Sequence, residues 1–434
     1  MNMNNFIRFS CTMLALTLFS TSAFSVTGVV TGTLKSFNRL GHYCDDDGRD
    51  CTGSNYNKSD FSKYQPLRDM KVVILVDGRW AGFGTTNQFG AYQIAWSREG
   101  TWQPSVLKLI TFLQHKDGRF TVYDSDATFH QLWGSTTNIS VGTTSTNPQS
   151  LGTWYWGSAN SPIDEANTYE GAWRTWRYAF QYSSRLRNYF NSLKIINNAT
   201  VTNTLTNIVS GVSDFRGSTF TVRMGNDQQY IYNTIYHELG HAASYKASRD
   251  QKFQSATNYC WPTAGNCNGT ARSGHNYQTP EWGAPQFEEG LADGIGVVSA
   301  FWSNNHEPIG CTNRPETACP RFNVMNSFDY ENRTSQTCVA PEQRYELNTI
   351  RYVRDLYDQG DGVRLSFWKL IEGLYEFSNS SWENGKNEPW NSSLTAFDDL
   401  DGGRSTRDYQ QHIDSRFSIN SIPQYNYNCT PVGD

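Results

Sequence analysis

The chain has 434 residues, 14% of them aromatic, with 36 basic and 41 acidic side chains and a formal net charge of −5. That length and aromatic content describe a core-forming protein of two or three domains and exclude disorder over most of the chain. The absence of a basic excess argues against nucleic-acid binding, and a mean hydropathy of −0.61 leaves no room for a polytopic membrane protein.

Residues 1–25 read as an export signal. Arg8 gives a small positive start, Cys11–Phe19 is a short apolar core, and Ala23 and Ser25 supply small residues at the spacing a signal peptidase needs. The core is too short to cross a bilayer, which takes about 20 residues. Cleavage is expected after Ser25, with no stable membrane insertion and a secreted or periplasmic product. An uncleaved anchor is the alternative, and the short core argues against it. Loss of Arg8 moves the net charge from −5 to −6. Cys11 leaves with the signal. The eight remaining cysteines form an even set, as disulfides in an exported chain require. Cys44–Cys51, Cys260–Cys267 and Cys311–Cys319 are close in sequence, and pairing them locally leaves Cys338 for Cys429. A zinc cluster is the alternative, and the lack of any C-x-x-C pair weakens it.

Residues 26–145 read as a small β domain. Met70–Val76 is a β-branched run ended by an Asp77-Gly78 turn; Gly90–Trp96 and Leu107–Leu113 follow, then a second Asp-Gly turn before Phe120–Tyr123. Short strands between turns predict a sandwich. The succession Val30–Leu34, Pro66–Gly78, Thr85–Ile94 resembles the prealbumin-like modules attached to secreted peptidases. Gly134–Gly152, rich in Gly, Ser, Thr and Asn, reads as a linker or long loop. Beyond it, apolar residues interleaved with Arg predict a helix over Tyr169–Leu193. Thr204–Val209 and Thr219–Met224 read as strands and Asp227–Lys246 as a second helix.

That second helix holds His237-Glu238-Leu239-Gly240-His241. Two His at i and i+4 share one face, so their ring nitrogens can reach one cation. Glu238 lies beside them and can take a proton from a water that the cation activates. Zinc needs a third protein ligand. Ala-Ala-Ser-Tyr follows His241, which excludes the metzincin pattern, and His275 lies in a Gly/Asn/Ser-rich stretch that makes a poor ligand site. Phe287-Glu288-Glu289-Gly290-Leu291-Ala292-Asp293 resembles the E-G-L-A element of gluzincins, the branch of the zincin metallopeptidases with a downstream Glu ligand. The resemblance runs from about Tyr169 to the C-terminus. It implies an α+β fold: a zincin-like catalytic domain over 153–434, with a mixed sheet, an active-site helix and a helical C-terminal part, preceded by the small β-sandwich. It also implies one Zn²⁺ held by His237, His241 and Glu289, and Asp293 orienting a ligand His. Glu288 is the competing ligand; only Glu289 has a carboxylate, Asp293, one helical turn further on. Residues 242–288 separate His241 from Glu289 and contain Cys260 and Cys267, the ends of an inserted loop.

The expected activity is that of a secreted zinc peptidase acting on protein or peptide substrates, with Glu238 as general base; endo- and exopeptidase stay open, as does the oligomeric state. The oxyanion donor could be Tyr277, His275, Tyr330 or Tyr345, with none singled out. The alternative is an extracellular binding module, an adhesin or inactive protease relative, that uses the β domain to hold a partner; an intact Glu238 argues against inactivity. A third alternative, zinc as a structural staple, would favour four Cys/His ligands. Two acidic stretches, Cys44–Cys51 and Asp398–Gly402, offer oxygens to Ca²⁺ but read better as solvated turns. Trp154 and Trp156 offer a carbohydrate platform, although core packing accounts for most aromatics.

Overall fold

The computed structural model describes residues 25–37, 64–99, 105–123, 131–156, 164–197, 214–225, 232–250, 283–301, 349, 353, 365–378 and 406–418. The expected signal segment before Ser25, the eight cysteines expected to pair, the expected strand over Thr204–Val209, both acidic stretches and the four oxyanion candidates lie outside these residues. The fold is α+β. No described helix is long and apolar enough to cross a membrane. The chain divides into two compact units, each assembled from separate stretches: 25–34, 69–112 and 131–154 in the first, and 35–68, 113–130 and the residues from 155 onward in the second.

The first unit is all β. Strand β1 (Ser25–Phe37) pairs antiparallel with β5 (Ala91–Glu99), from Ser25 opposite Glu99 to Thr33 opposite Ala91. Along β5 the pattern alternates, with Tyr92, Ile94 and Trp96 buried and Gln93, Ala95 and Ser97 outward, as a strand with one solvated face requires. Strand β3 (Met70–Val76) instead buries Val72–Val76 without a break, which is why it reads as a continuous apolar run. It turns into β4 (Arg79–Thr85) through Asp77 and Gly78, whose φ values of 45° and 75° suit the tight hairpin that Asp-Gly signals. Asp77 also accepts from the Ser105 hydroxyl at 2.9 Å and the Val106 N–H at 3.0 Å, fixing the start of β6 (Val106–His115). Gly82 and Gly84 lie against Trp96 and Ile94, so the β4 layer meets the β5 layer with almost no side chain between.

The stretch expected to be a linker or long loop, Gly134–Gly152, is strand at both ends. Strand β8 (Gln131–Asn138) pairs with β6, Thr136 and Thr137 standing opposite Lys108 and Leu107, and β9 (Gln149–Trp156) pairs with β1. Thr is polar by composition but β-branched, so a Ser/Thr-rich run that looks like a loop still suits a pleated sheet. Only 139–148 between them is irregular.

The second unit carries β2 (Tyr64–Pro66), β7 (Phe120–Tyr123) and the helices. Strand β7 pairs in parallel with β10 (Leu193–Ile196), which pairs in parallel with β12 (Thr221–Arg223); β11 (Asp214–Arg216) closes that edge antiparallel. The first helix, α1, spans Asp164–Ala179 and not Tyr169–Leu193. Beyond it the chain turns at Ser183, whose hydroxyl accepts from the Leu186 N–H at 2.9 Å, and Ser192 adopts φ 62°. Phe180, Leu186 and Phe190 are buried there all the same, so apolar spacing outlasts the helix. Residues 165–176 of α1 are buried all round. The helix therefore has to satisfy its charges internally: Glu170 accepts from Arg174 Nε at 3.0 Å and from Arg68 Nη1 at 2.6 Å. A buried carboxylate with two guanidinium partners avoids the penalty of an unpaired buried charge.

Helix α2 (Tyr232–Ala247), α3 (Gly283–Phe301), α4 (Phe367–Phe377) and α5 (Thr406–Phe417) follow. In α3 the apolar residues Phe287, Leu291, Ile295 and Val298 fall on one stripe and are buried. Pro285 stands in its first turn, where no intrahelical N–H is lost.

Candidate metal centre

Helix α2 is clamped between α1 and α3, and glycine sets both contacts. A Cβ on Gly171 of α1 would come within 2.8 Å of Ile235. On the other side, a Cβ on Gly240 would stand 2.0 Å from the Ala292 carbonyl oxygen of α3, and one on Gly296 would stand 2.8 Å from the Tyr236 carbonyl. The backbones of α2 and α3 touch there. Glycine inside a helix costs about 1 kcal/mol against alanine, so Gly240 within H-E-L-G-H was a signal of close approach that motif reading passes over. Gly240→Ala should push α2 and α3 apart, destabilise the protein by about 1–3 kcal/mol or more, and lower metal content. Urea unfolding and elemental analysis of the variant check both.

The close contact brings three groups together. His237 Nε2, His241 Nε2 and Glu289 Oε2 form a triangle with sides of 3.1, 2.9 and 3.2 Å. The two imidazole planes stand at 86° with centroids 4.6 Å apart, so both Nε2 atoms converge although the rings do not stack. Asp293 Oδ1 lies 2.7 Å from His237 Nδ1. A carboxylate only accepts, so Nδ1 carries the hydrogen and donates it. In the neutral ring Nε2 of His237 then has a lone pair aimed at another imidazole nitrogen and a carboxylate oxygen; in the charged ring it carries a second hydrogen there. Electron-rich atoms at such distances are held together only by a cation or by protons between them.

The electrostatics agree. Burial opposes charge on His237, but the Asp293 and Glu289 carboxylates outweigh it and hold its pKa well above the usual imidazole range. His241 is raised likewise, against burial, chiefly by Glu289. Burial would raise Glu289, yet His241 and His237 hold it well below the usual carboxylate range.

The three atoms fit a metal ion. Tetrahedral coordination at about 2.0–2.1 Å places neighbouring ligand atoms about 3.3–3.4 Å apart. The observed sides fall short of that by only a few tenths of an ångström, and a triangle leaves a fourth vertex open. The Glu289 side chain is 4% exposed and that of His237 20%, so the open side lies toward solvent near His237. Glu238 is buried, and its charge reaches His241. Glu288 is buried as well; the carboxylate that completes the triangle is Glu289. Among the sequence-derived candidates, His237, His241, Glu289 and Asp293 share this one cluster, with Glu238 beside it.

No protein-family model and no curated protein sequence matches the chain. Among solved structures it is similar to a 9R-lipoxygenase from Cyanothece PCC8801, at 10% identity, over 72% of this chain and 30% of that one, with a TM-score of 0.18. A likeness at that score carries no argument about fold or activity.

Proposed function

We propose that the protein is an exported zinc-dependent peptidase of gluzincin type. The observation that carries this reading is the triangle of His237 Nε2, His241 Nε2 and Glu289 Oε2, with the His237 tautomer set by Asp293. Two imidazoles and one carboxylate with an open vertex is the donor set of a catalytic zinc site; structural sites are closed by four Cys or His ligands. Bound there, Zn²⁺ would supply Lewis acidity, polarising a scissile carbonyl and lowering the pKa of a water molecule.

The remaining work falls to the chain. His237 and His241 present neutral Nε2 lone pairs, and Asp293 keeps the His237 hydrogen on Nδ1. Glu289 contributes one negative charge, so a divalent ion and its three ligands would together carry a charge of +1. Glu238, within electrostatic reach of His241, accepts a proton on its carboxylate as water attacks the carbonyl carbon and delivers it to the departing amine nitrogen. A prealbumin-like character of the first unit remains part of this proposal; its use in holding a partner belongs to the alternative, a binding module. Elemental analysis of the purified protein should find one zinc per chain, and His237→Ala should lose it. Zinc content unchanged in His237→Ala would contradict the ligand set.

A further inference from the structure

The first unit carries an open groove of about 590 Å³ that the metal centre does not use. Its floor is the face of β1 and its neighbours, opened by two glycines. A Cβ on Gly32 would collide with the Tyr92 hydroxyl at 2.3 Å and approach the Gly152 carbonyl at 2.9 Å, so only glycine leaves this space clear. Gly152, at φ 71°, has nothing within 4 Å of where its Cβ would be. The Tyr92 ring lies across Gly32, directly opposite it in the β1–β5 register, and its buried hydroxyl has no hydrogen-bond partner among the described residues.

The lining is polar and uncharged. Hydroxyls come from Thr31, Thr33, Ser150 and Thr153 and carboxamides from Asn87 and Gln93; among the described residues no Asp, Glu, Lys, Arg or His lines it. Such a surface offers no counter-charge to an ionic ligand, and an apolar ligand would strip water from hydroxyls without replacing it. An extended peptide read through its main chain would add at the edge of a sheet, beyond β5 or β9, and not over β1, which is paired with both. What fits is a neutral molecule dense in groups that both donate and accept, as sugar hydroxyls do.

The rim supplies the second element of sugar recognition. Phe89 is 66% exposed in the turn between Asn87 and Ala91, both of which line the groove. The turn is locked by Asn87 Oδ1, which accepts from the Phe89 N–H at 2.8 Å and the Ala91 N–H at 3.1 Å. A large apolar ring is thus held out in water two residues from each of two groove-lining residues, and the C–H face of a sugar ring can stack on it.

We infer that this groove binds a neutral carbohydrate chain, which would anchor the protein to a glycan-bearing surface independently of the metal centre. The test is native affinity electrophoresis of the full chain in gels containing a soluble neutral β-glucan, galactomannan or glycol chitin, with heparin as the anionic comparison. The protein should be retarded by at least one neutral polysaccharide and not by heparin. Phe89→Ala, which removes the platform, and Ser150→Trp, which fills the groove, should each weaken retardation by about tenfold, with an unchanged circular-dichroism spectrum and urea unfolding midpoint as the sign of an intact fold. No retardation in any neutral gel, equal retardation by heparin, or wild-type binding by either variant would overturn the inference.

Discussion

Glu238→Gln should keep its zinc and lose nearly all hydrolysis, a fall on the order of 10²- to 10⁴-fold in kcat. Glutamine matches glutamate in shape but cannot accept the proton that water must give up. The three atoms of the triangle belong to His237, His241 and Glu289, so metal retention should be untouched. The two readouts separate chemistry from folding: loss of both would indicate a collapsed helix α2, and retained turnover with zinc bound would remove Glu238 from the role of base. Rates on a cleaved peptide, measured beside metal content on the same preparation, decide between them.

The second large effect is expected at Glu289. Its carboxylate is 4% exposed and lies 2.9 Å and 3.2 Å from the two imidazole nitrogens. Glu289→Ala should strip the zinc, costing more than the roughly 10- to 100-fold that loss of an outer partner costs. Asp293→Ala should fall within that smaller range, because its effect passes through the His237 ring it holds at 2.7 Å. Glu288→Ala should change metal affinity little. Equilibrium zinc competition with a chromogenic chelator ranks the three. Zinc lost from Glu288→Ala and spared in Glu289→Ala would reverse the assignment and remove Asp293 from its role.

These residues were accessible to sequence reading because helical geometry is simple. His237 and His241 are one turn apart, as are Glu289 and Asp293, so spacing alone puts each pair on one face. That the two pairs meet depends on α2 and α3 touching at Gly240 and Gly296, a close backbone approach that neither helix announces by its apolar pattern. The buried Glu170 shows the same limit: one of its partners is four residues away on the helix, and the other, Arg68, comes from 102 residues upstream. The strands β8 and β9 were hidden because composition weighs Thr as polar, whereas its branching at Cβ suits the sheet. The overextended first helix has the opposite cause. Phe180, Leu186 and Phe190 keep an apolar rhythm through irregular backbone, since burial, and not helix, is what their spacing records. Asp77-Gly78 needed no tertiary context, because its dihedral requirement is local.

A zinc ion held by His237, His241 and Glu289 is proposed to make this chain a peptidase. The most direct measurement is mass-spectrometric cleavage of a mixed peptide library by the wild-type protein, first stripped of metal with a chelator and then reconstituted. Cleavage should vanish on stripping and return with one equivalent of Zn²⁺ per chain. Cleavage that survives complete metal removal, or a fully zinc-loaded protein that cuts no peptide in the library, would contradict it.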